Sequence, residues 1–323
     1  MLYKITGLLL FAGILFNACK KSEDPTVNSP QQPNNIPYVP PKWDRKDIPT
    51  AGNFCDIQMM NHALAYACDS KGQFWRTTDS GNNWIKTFTV SPVEIINALY
   101  FINNATGFAI TAGRIYKTTD SGSSWQQVAA SFEGRDIFFT SLQTGYHSSN
   151  SAIYKTTNGG VTWQWIRNAD FAKLHFTDGR GWYNDKYGRL YTTLNEGVNW
   201  SLLNAPASVP QSIFAYGLHA YNTQHVAAGR VNALRITQTG AAPFSNITDT
   251  VYAGATTSVH YTAPGQGFMI TDKMRVAAFK LPDTLVRGQQ ILSNGPLNEM
   301  SFTDSVTGMI CGDYGLILRF RKP

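Results

Sequence analysis

Apolar and polar positions alternate along most of the chain in short runs, and the runs recur in a fixed order. In IINALYF, INNAT, GFAIT, AG, RIYKTT, DSGSS and WQQV, read continuously from Ile95, a period of two in β-branched and aromatic residues predicts four strands divided by turns. No window carries an apolar stripe at helical spacing. The order returns in IQMMNHALAYACDSKGQFWRTT, DIFFTSLQTGYHSSNSAIYKTT and KLHFTDGRGWYNDKYGRLYTT. It returns again in a degraded GLHAYNTQHVAAGRVNALRIT, in SVHYTAPGQGFMITDKMRVAAF and in LNEMSFTDSVTGMICGDYGLILRF. Each unit predicts one small antiparallel sheet, and there are seven.

Gly81, Gly122, Gly160 and Gly197 stand 41, 38 and 37 residues apart. Repeats of that length belong to propellers or helical arrays, and the strand pattern selects the propeller. The last unit stops at RFRKP, one strand short. A closed ring cannot leave that edge unpaired. Trp43, in PKWDRKDIP, falls where the tryptophan after a missing turn would stand. The expected fold is therefore all-β: a seven-bladed β-propeller over residues 43–323, closed by an N-terminal strand that completes the last blade.

Four turns share one composition: TTDSGNNW, TTDSGSSW, TTNGGVTW and TTLNEGVNW. Asp79, Asp120, Asn158 and Asn195 supply an oxygen that folds back onto main-chain N–H groups. Gly81, Gly122, Gly160 and Gly197 supply positive φ. Trp84, Trp125, Trp163 and Trp200 cover the hairpins. In blade five, Gln238 and Pro243 replace the Asp and Trp, and blade six has no such turn. The turn resembles the Asp-box, or BNR, repeat of sialidases, sortilin-type receptors and xyloglucanases. The wider unit, typified by FTDSVTGMICGDYGLILRF, resembles the photosystem II stability/assembly-factor propeller family over roughly residues 43–323. That resemblance implies the fold and a structural role for the turn residues. It implies no activity, because the family includes many non-photosynthetic secreted and lipoprotein members.

The N-terminus departs from this pattern. Lys4, the apolar run ITGLLLFAGILF and Ala18 before Cys19 have the form of a secretory signal over residues 1–18. The end of that signal resembles a bacterial lipobox, with Phe16 where Leu usually stands, and this implies lipidation of Cys19. Lys20 implies sorting to the outer membrane, facing the periplasm or the exterior, and CKKSED resembles the surface-export signal of Bacteroidota lipoproteins. Residues 19–42, rich in Pro, Asn, Gln and Ser, lack apolar periodicity and read as an extended tether.

Composition narrows the chemistry. Aromatic residues make up 13% and charged residues 15% of the 323, which suits a packed exported β protein. The formal charge is +6, but Lys and Arg are scattered, which argues against a nucleic-acid groove. Beyond Cys19, Cys55, Cys68 and Cys311 make an odd set that leaves at least one thiol unpaired. No cofactor is implied, and a monomer is expected.

Candidate sites are few. A sialidase-like enzyme needs an arginine cluster, often announced by Arg-Ile-Pro. This chain has only DIP at Asp47–Pro49, and Arg76, Arg114 and Arg189 lie on third strands. A glycoside hydrolase needs two carboxylates flanking one bond. Asp136, Asp178, Asp185 and Asp304 are the candidates, and spacing favours no pair of them. One position before the bulky residue of each first strand, blades one, two, three and seven carry Met59, Tyr100, Phe138 and Ser301. Blades four, five and six carry His175, His219 and His260. Those imidazoles line the channel, either as metal ligands or as interblade contacts. Trp165, Trp182, Tyr183 and Tyr187 cluster in sequence. Tyr187 and Trp165 are candidates for a ligand surface, whereas Trp182, in the place of Phe108, belongs to the core. The expected function is a non-catalytic cell-envelope binding or assembly module that engages a protein or glycan on its loop face. An exported glycoside hydrolase or sialidase-like enzyme is the alternative.

Overall fold

The computed structural model describes residues 42–321, apart from 92, 205–216, 231–232, 249–253, 282–286, 292 and 294. The expected signal and Cys19, and the expected tether up to residue 41, lie outside the described residues. The described chain forms seven four-stranded antiparallel sheets and contains no helix. In blades one to six the strands follow chain order from the axis outward. Blade two runs Ile96–Phe101, Gly107–Thr111, Arg114–Thr118 and Gln126–Ala130. Second strands are buried on both faces and fourth strands are largely exposed, the gradient expected of wedges around an axis.

Blade seven takes its outer strand from the other end of the chain. Lys42–Asp47 pairs with Leu316–Arg321, with Trp43 opposite Phe320 and Asp47 opposite Leu316. Trp43 then packs edge-on to Phe302 at 6.3 Å between ring centres. Trp125, Trp163 and Trp200 meet Phe101, Phe139 and Phe176 in the same way at 5.7, 5.9 and 6.0 Å. The latch therefore reproduces the turn tryptophan as well as the missing strand.

The wedges are held by one repeated contact. A residue at or near the end of each first strand packs against the second strand of the preceding blade. Tyr66 stacks on Phe101 at 3.6 Å, Phe108 on Phe139 at 3.6 Å, Tyr146 on Phe176 at 3.9 Å and Phe268 on Phe302 at 4.8 Å. Where the partner is large, its mate is small: Trp182 packs with Ala220, and Ala227 with Tyr261. Met309 and Met59 close the circle. The first-strand ring also lies across its own second strand. A Cβ on Gly145 would stand 2.6 Å from Phe139, and one on Gly308 2.2 Å from Phe302. The recurring Gly-aromatic dipeptide is thus a packing requirement on both sides of the same ring.

The four turns are built as their composition suggests, with one partner added. Asp79 Oδ1 accepts from Asn83 N–H at 2.9 Å, Asp120 Oδ1 from Ser124 at 2.9 Å, Asn158 Oδ1 from Thr162 at 3.0 Å and Asn195 Oδ1 from Asn199 at 2.9 Å. The Thr two residues before each Asx also takes part. Thr77 Oγ1 donates to Asp79 and accepts from Gly81 N–H at 2.9 Å, and Thr118, Thr156 and Thr193 repeat this. Gly81 has φ 77° and Gly197 has φ 87°. A basic side chain of the preceding blade then reaches the turn: Arg319 donates to Ser80 O, Arg76 to Ser121 O and Lys155 to Glu196 O.

The Trp182–Ala220 pair makes a test of complementary packing. Trp182→Ala should cost about 3–5 kcal/mol in urea unfolding, and Ala220→Phe about 1–3 kcal/mol by overpacking. Because the two side chains share one space, the double variant should recover part of the sum, a coupling read from a double-mutant cycle.

Candidate functional site

First strands run parallel to the axis, so alternate residues face the channel. The strand pairings place Gln58, Tyr100, Phe138, His175, His219, His260 and Ser301 at one level. The sequence expectation is corrected here in blade one, where Gln58 faces the channel and Met59 faces the core. Met59 lies opposite Ala65 and packs with Met309, so a one-residue slip would move it to the wrong face.

The three histidines do converge. Their ring centres stand 4.7 Å apart for His175 and His219, and 4.0 Å for His219 and His260. Phe138 continues the belt to His175 at 5.2 Å, and Tyr100 to Phe138 at 4.5 Å. His219 Nδ1 accepts from Tyr261 N–H at 3.3 Å, and His175 and His260 bond the main chain of Ala220 and Phe302. Each imidazole therefore bonds the next blade, as the interblade reading expects. Among the described residues no group of three His, Cys, Asp or Glu side chains is placed to hold a metal ion. Burial, with repulsion from His260, pushes His175 down to about 3. Burial brings His260 down to about 4 and His219 well below the ordinary value, so the belt is uncharged at neutral pH.

Two residues earlier on the same strands lies a charged waist that sequence reasoning found only in part. Asp56, Asp136, Lys173, Ser258 and Glu299 meet there, with Ala98 at the blade-two position. In blades one, two, six and seven a bulge immediately before this position aims it inward. Lys173 Nζ lies 2.9 Å from Glu299 Oε2 and 3.5 Å from Asp136 Oδ1. Asp136 Oδ2 accepts from Leu174 N–H at 2.7 Å, and Asp56 Oδ2 from Leu99 N–H at 2.9 Å, both in the next blade. Glu299 Oε1 accepts from Ser258 and from Met300 N–H. Burial raises Asp56 to about 7 and raises Asp136 as well, with Lys173 opposing both. Burial works against the Lys173 ammonium, but Asp136, Glu299 and Asp56 outweigh it and hold its pKa well above the ordinary value. Of the four sequence candidates only Asp136 reaches this cluster. Asp185 caps its own turn at Tyr187 and Arg189, Asp304 meets His62 at 2.5 Å, and Asp178 occupies a tight turn with φ 48°. Reading two positions upstream of the histidines would have found Asp56, Lys173 and Glu299.

Waist and belt enclose a chamber of about 450 Å³, open at the face that carries the box turns. A second cavity of about 420 Å³ reaches the waist from the other face, beside Arg135, Phe171 and Asn298.

The remaining candidates do not gather. Arg76 bonds Ser121 O, Arg114 pairs with Glu94 at 2.6 Å and Arg189 with Asp185 at 2.6 Å, so no arginine cluster forms. Trp182 and Tyr183 are core. Trp165 is 54% exposed on the outer strand of blade three, beginning at the box turn. Tyr187 lies on the opposite face, half-buried between Lys186 and Arg189, 4.9 and 4.8 Å from its ring. The two do not form one surface. Cys55, Cys68 and Cys311 are all free thiols, and burial pushes Cys55 up to about 12.

Residues 38–166 match the family model described as photosynthesis system II assembly factor YCF48. A structure of YCF48 bound to D1 peptide superposes with TM-score 0.68 at 16% identity, covering 89% of this chain and 99% of that one. YCF48 from Cyanidioschyzon merolae gives 0.70 at 14% identity, covering 86% and 98%. The extracellular domain of the putative one component system BT4673 from B. thetaiotaomicron gives 0.70 at 14%, covering 85% of this chain and 39% of that one. Likeness at these identities is one of fold. No curated protein matches the sequence.

The waist predicts two outcomes. Lys173→Met leaves buried carboxylates without their cation and should destabilise the protein by about 3–5 kcal/mol in urea unfolding. The histidines are held below 6.5 when folded, so acid favours the unfolded chain, and stability should fall between about pH 6.5 and 4. Asp56, raised above 3.8 to about 7, acts oppositely: its contribution is full below 3.8 and is lost as pH rises toward 7. His219→Gln should therefore flatten the acid decline and Asp56→Asn should steepen it, as read from unfolding midpoints across that range.

Proposed function

We propose that the protein is a non-catalytic binding module that seats a segment of a partner protein in the axial chamber at its box-turn face. The carrying observation is the chamber itself, about 450 Å³ and walled by an uncharged belt of aromatic and imidazole rings. Cavities of this size and lining hold an inserted side chain or short segment. The carboxylates beneath it favour binding over hydrolysis. Lys173 stands between Asp136 and Glu299, where a glycosidase would need open space for a bond and a water. YCF48 bound to D1 peptide is a relative of this fold with a polypeptide ligand. A glycan is the second reading, favoured by the exposed ring of Trp165.

Export as an outer-membrane lipoprotein acylated at Cys19 completes the proposal, and it rests on the sequence of the first residues. Radiolabelled palmitate should enter the full-length chain and not the Cys19→Ala variant. For binding, a library of random dodecapeptides panned against the purified propeller should yield ligands, and Phe138→Ala with His219→Ala should lose them. Capture by a glycan array that depends on Trp165 would favour the second reading. Release of reducing sugar that disappears in Glu299→Gln would replace both with a hydrolase.

A further inference from the structure

The waist is unevenly supplied with charge. Three carboxylates face one ammonium, and Lys173 is within ion-pair distance of only two of them, Asp136 and Glu299. Asp56 is 7% exposed and lines the chamber; Lys173 attracts it from beyond ion-pair distance, and no cation pairs with it directly among the described residues. Its two oxygens accept only the N–H groups of Ile57 and Leu99, at 2.8 and 2.9 Å. A carboxylate so enclosed is poorly placed unless a cation joins it. The neighbouring waist position is Ala98, which brings no polar group to that side. Above Asp56 on its own strand, Gln58 is fully engaged with the main chain of Phe101, at 3.0 and 2.6 Å. Beside Gln58 in the belt stand the rings of Tyr100 and Phe138. An acidic group below and aromatic faces beside it are the two features that recognise an organic cation. The chain as a whole carries +6, so this acidic interior contrasts with its surroundings.

We propose that the chamber takes an organic ammonium ion, supplied by a partner polypeptide as a lysine side chain, with Asp56 as its counter-ion and Tyr100 and Phe138 as its aromatic wall. The inference rests on the partner-segment reading above and names the chemistry of the inserted group. A lysine suits the chamber because its alkyl stem lies along apolar rings while only its head reaches the carboxylate. The ion exchanges water for a charge-assisted bond to Asp56, and no covalent step is involved.

The probe is n-pentylammonium, with 1-pentanol as its uncharged counterpart, titrated against the purified propeller and followed by calorimetry and by NMR shifts of Tyr100 and Phe138. Pentylammonium should bind and pentanol should not. Asp56→Asn should weaken binding about ten-fold or more, the loss expected for one charged hydrogen bond. Tyr100→Leu should weaken it about three-fold. The Asn variant keeps the size of the side chain, and the Leu variant leaves the waist intact, so loss of fold in one is checked by the other. Equal affinity for alcohol and amine would overturn the inference, as would an Asp56→Asn variant that binds like the native chain. The partner reading fails separately: pentylammonium binding with no peptide captured leaves the cation site standing. Lysine-free peptides captured with full affinity by Asp56→Asn would leave the module standing and end the cation site.

Discussion

The structure depends on a contact between neighbouring blades: a side chain near the end of each first strand, pressed against the second strand of the blade before it. Because the ring is closed, this contact must be satisfied at every junction, and the volumes at each junction must sum to the same space. Stacked aromatic rings meet that condition at four junctions. Elsewhere it is met by trading size across the boundary, as Trp182 with Ala220 and Ala227 with Tyr261. The degraded look of blade five in sequence is therefore half of a compensated pair. Blade seven obeys the same rule with Phe302 on Phe268, and a tryptophan from the other end of the chain packs edge-on to both rings.

That constraint fixes what the axis can contain. Bringing seven first strands together leaves their alternate side chains facing one narrow space, where water is scarce and polar groups need partners. The blades solve this by bonding across the junction. Asp56, Gln58, Asp136 and Ser301 each accept a main-chain N–H of the following blade, and His219 does likewise. The same side chains that line a potential site thus also hold the ring together. Neutral imidazoles suit this double duty, since a ring nitrogen accepts a bond without bringing a charge into the belt.

The box turns serve the outer half of the wedge. Their Asx and Thr side chains satisfy the hairpin, and their carbonyls receive Arg or Lys from the preceding blade. Blade five lacks the box, yet its turn still receives Arg180 and the Trp182 indole of the preceding blade at Gly240 O.

The repeat was legible because a strand's period of two and a turn's need for Asx and Gly are local demands, written into adjacent residues. From them came the seven blades, the latch through Trp43, the box residues and the channel position of His175, His219 and His260. Register in blade one was not legible: Met59 and Met60 are adjacent and alike, and only Ala65 and Met309 decide which of them faces inward. Nor was the charged waist, because Asp56, Asp136, Lys173 and Glu299 sit on different blades, and bulges shift where they point. Trp165 and Tyr187 are close in sequence, yet one lies at the start of the outer strand of blade three at the box turn and the other sits in the turn after the second strand of blade four, on the opposite face. Local hydrogen bonding and side-chain period determined the fold from the sequence itself. Which side chains meet at the axis was decided only in three dimensions, because closing a ring joins residues whose separation along the chain carries no information about their distance.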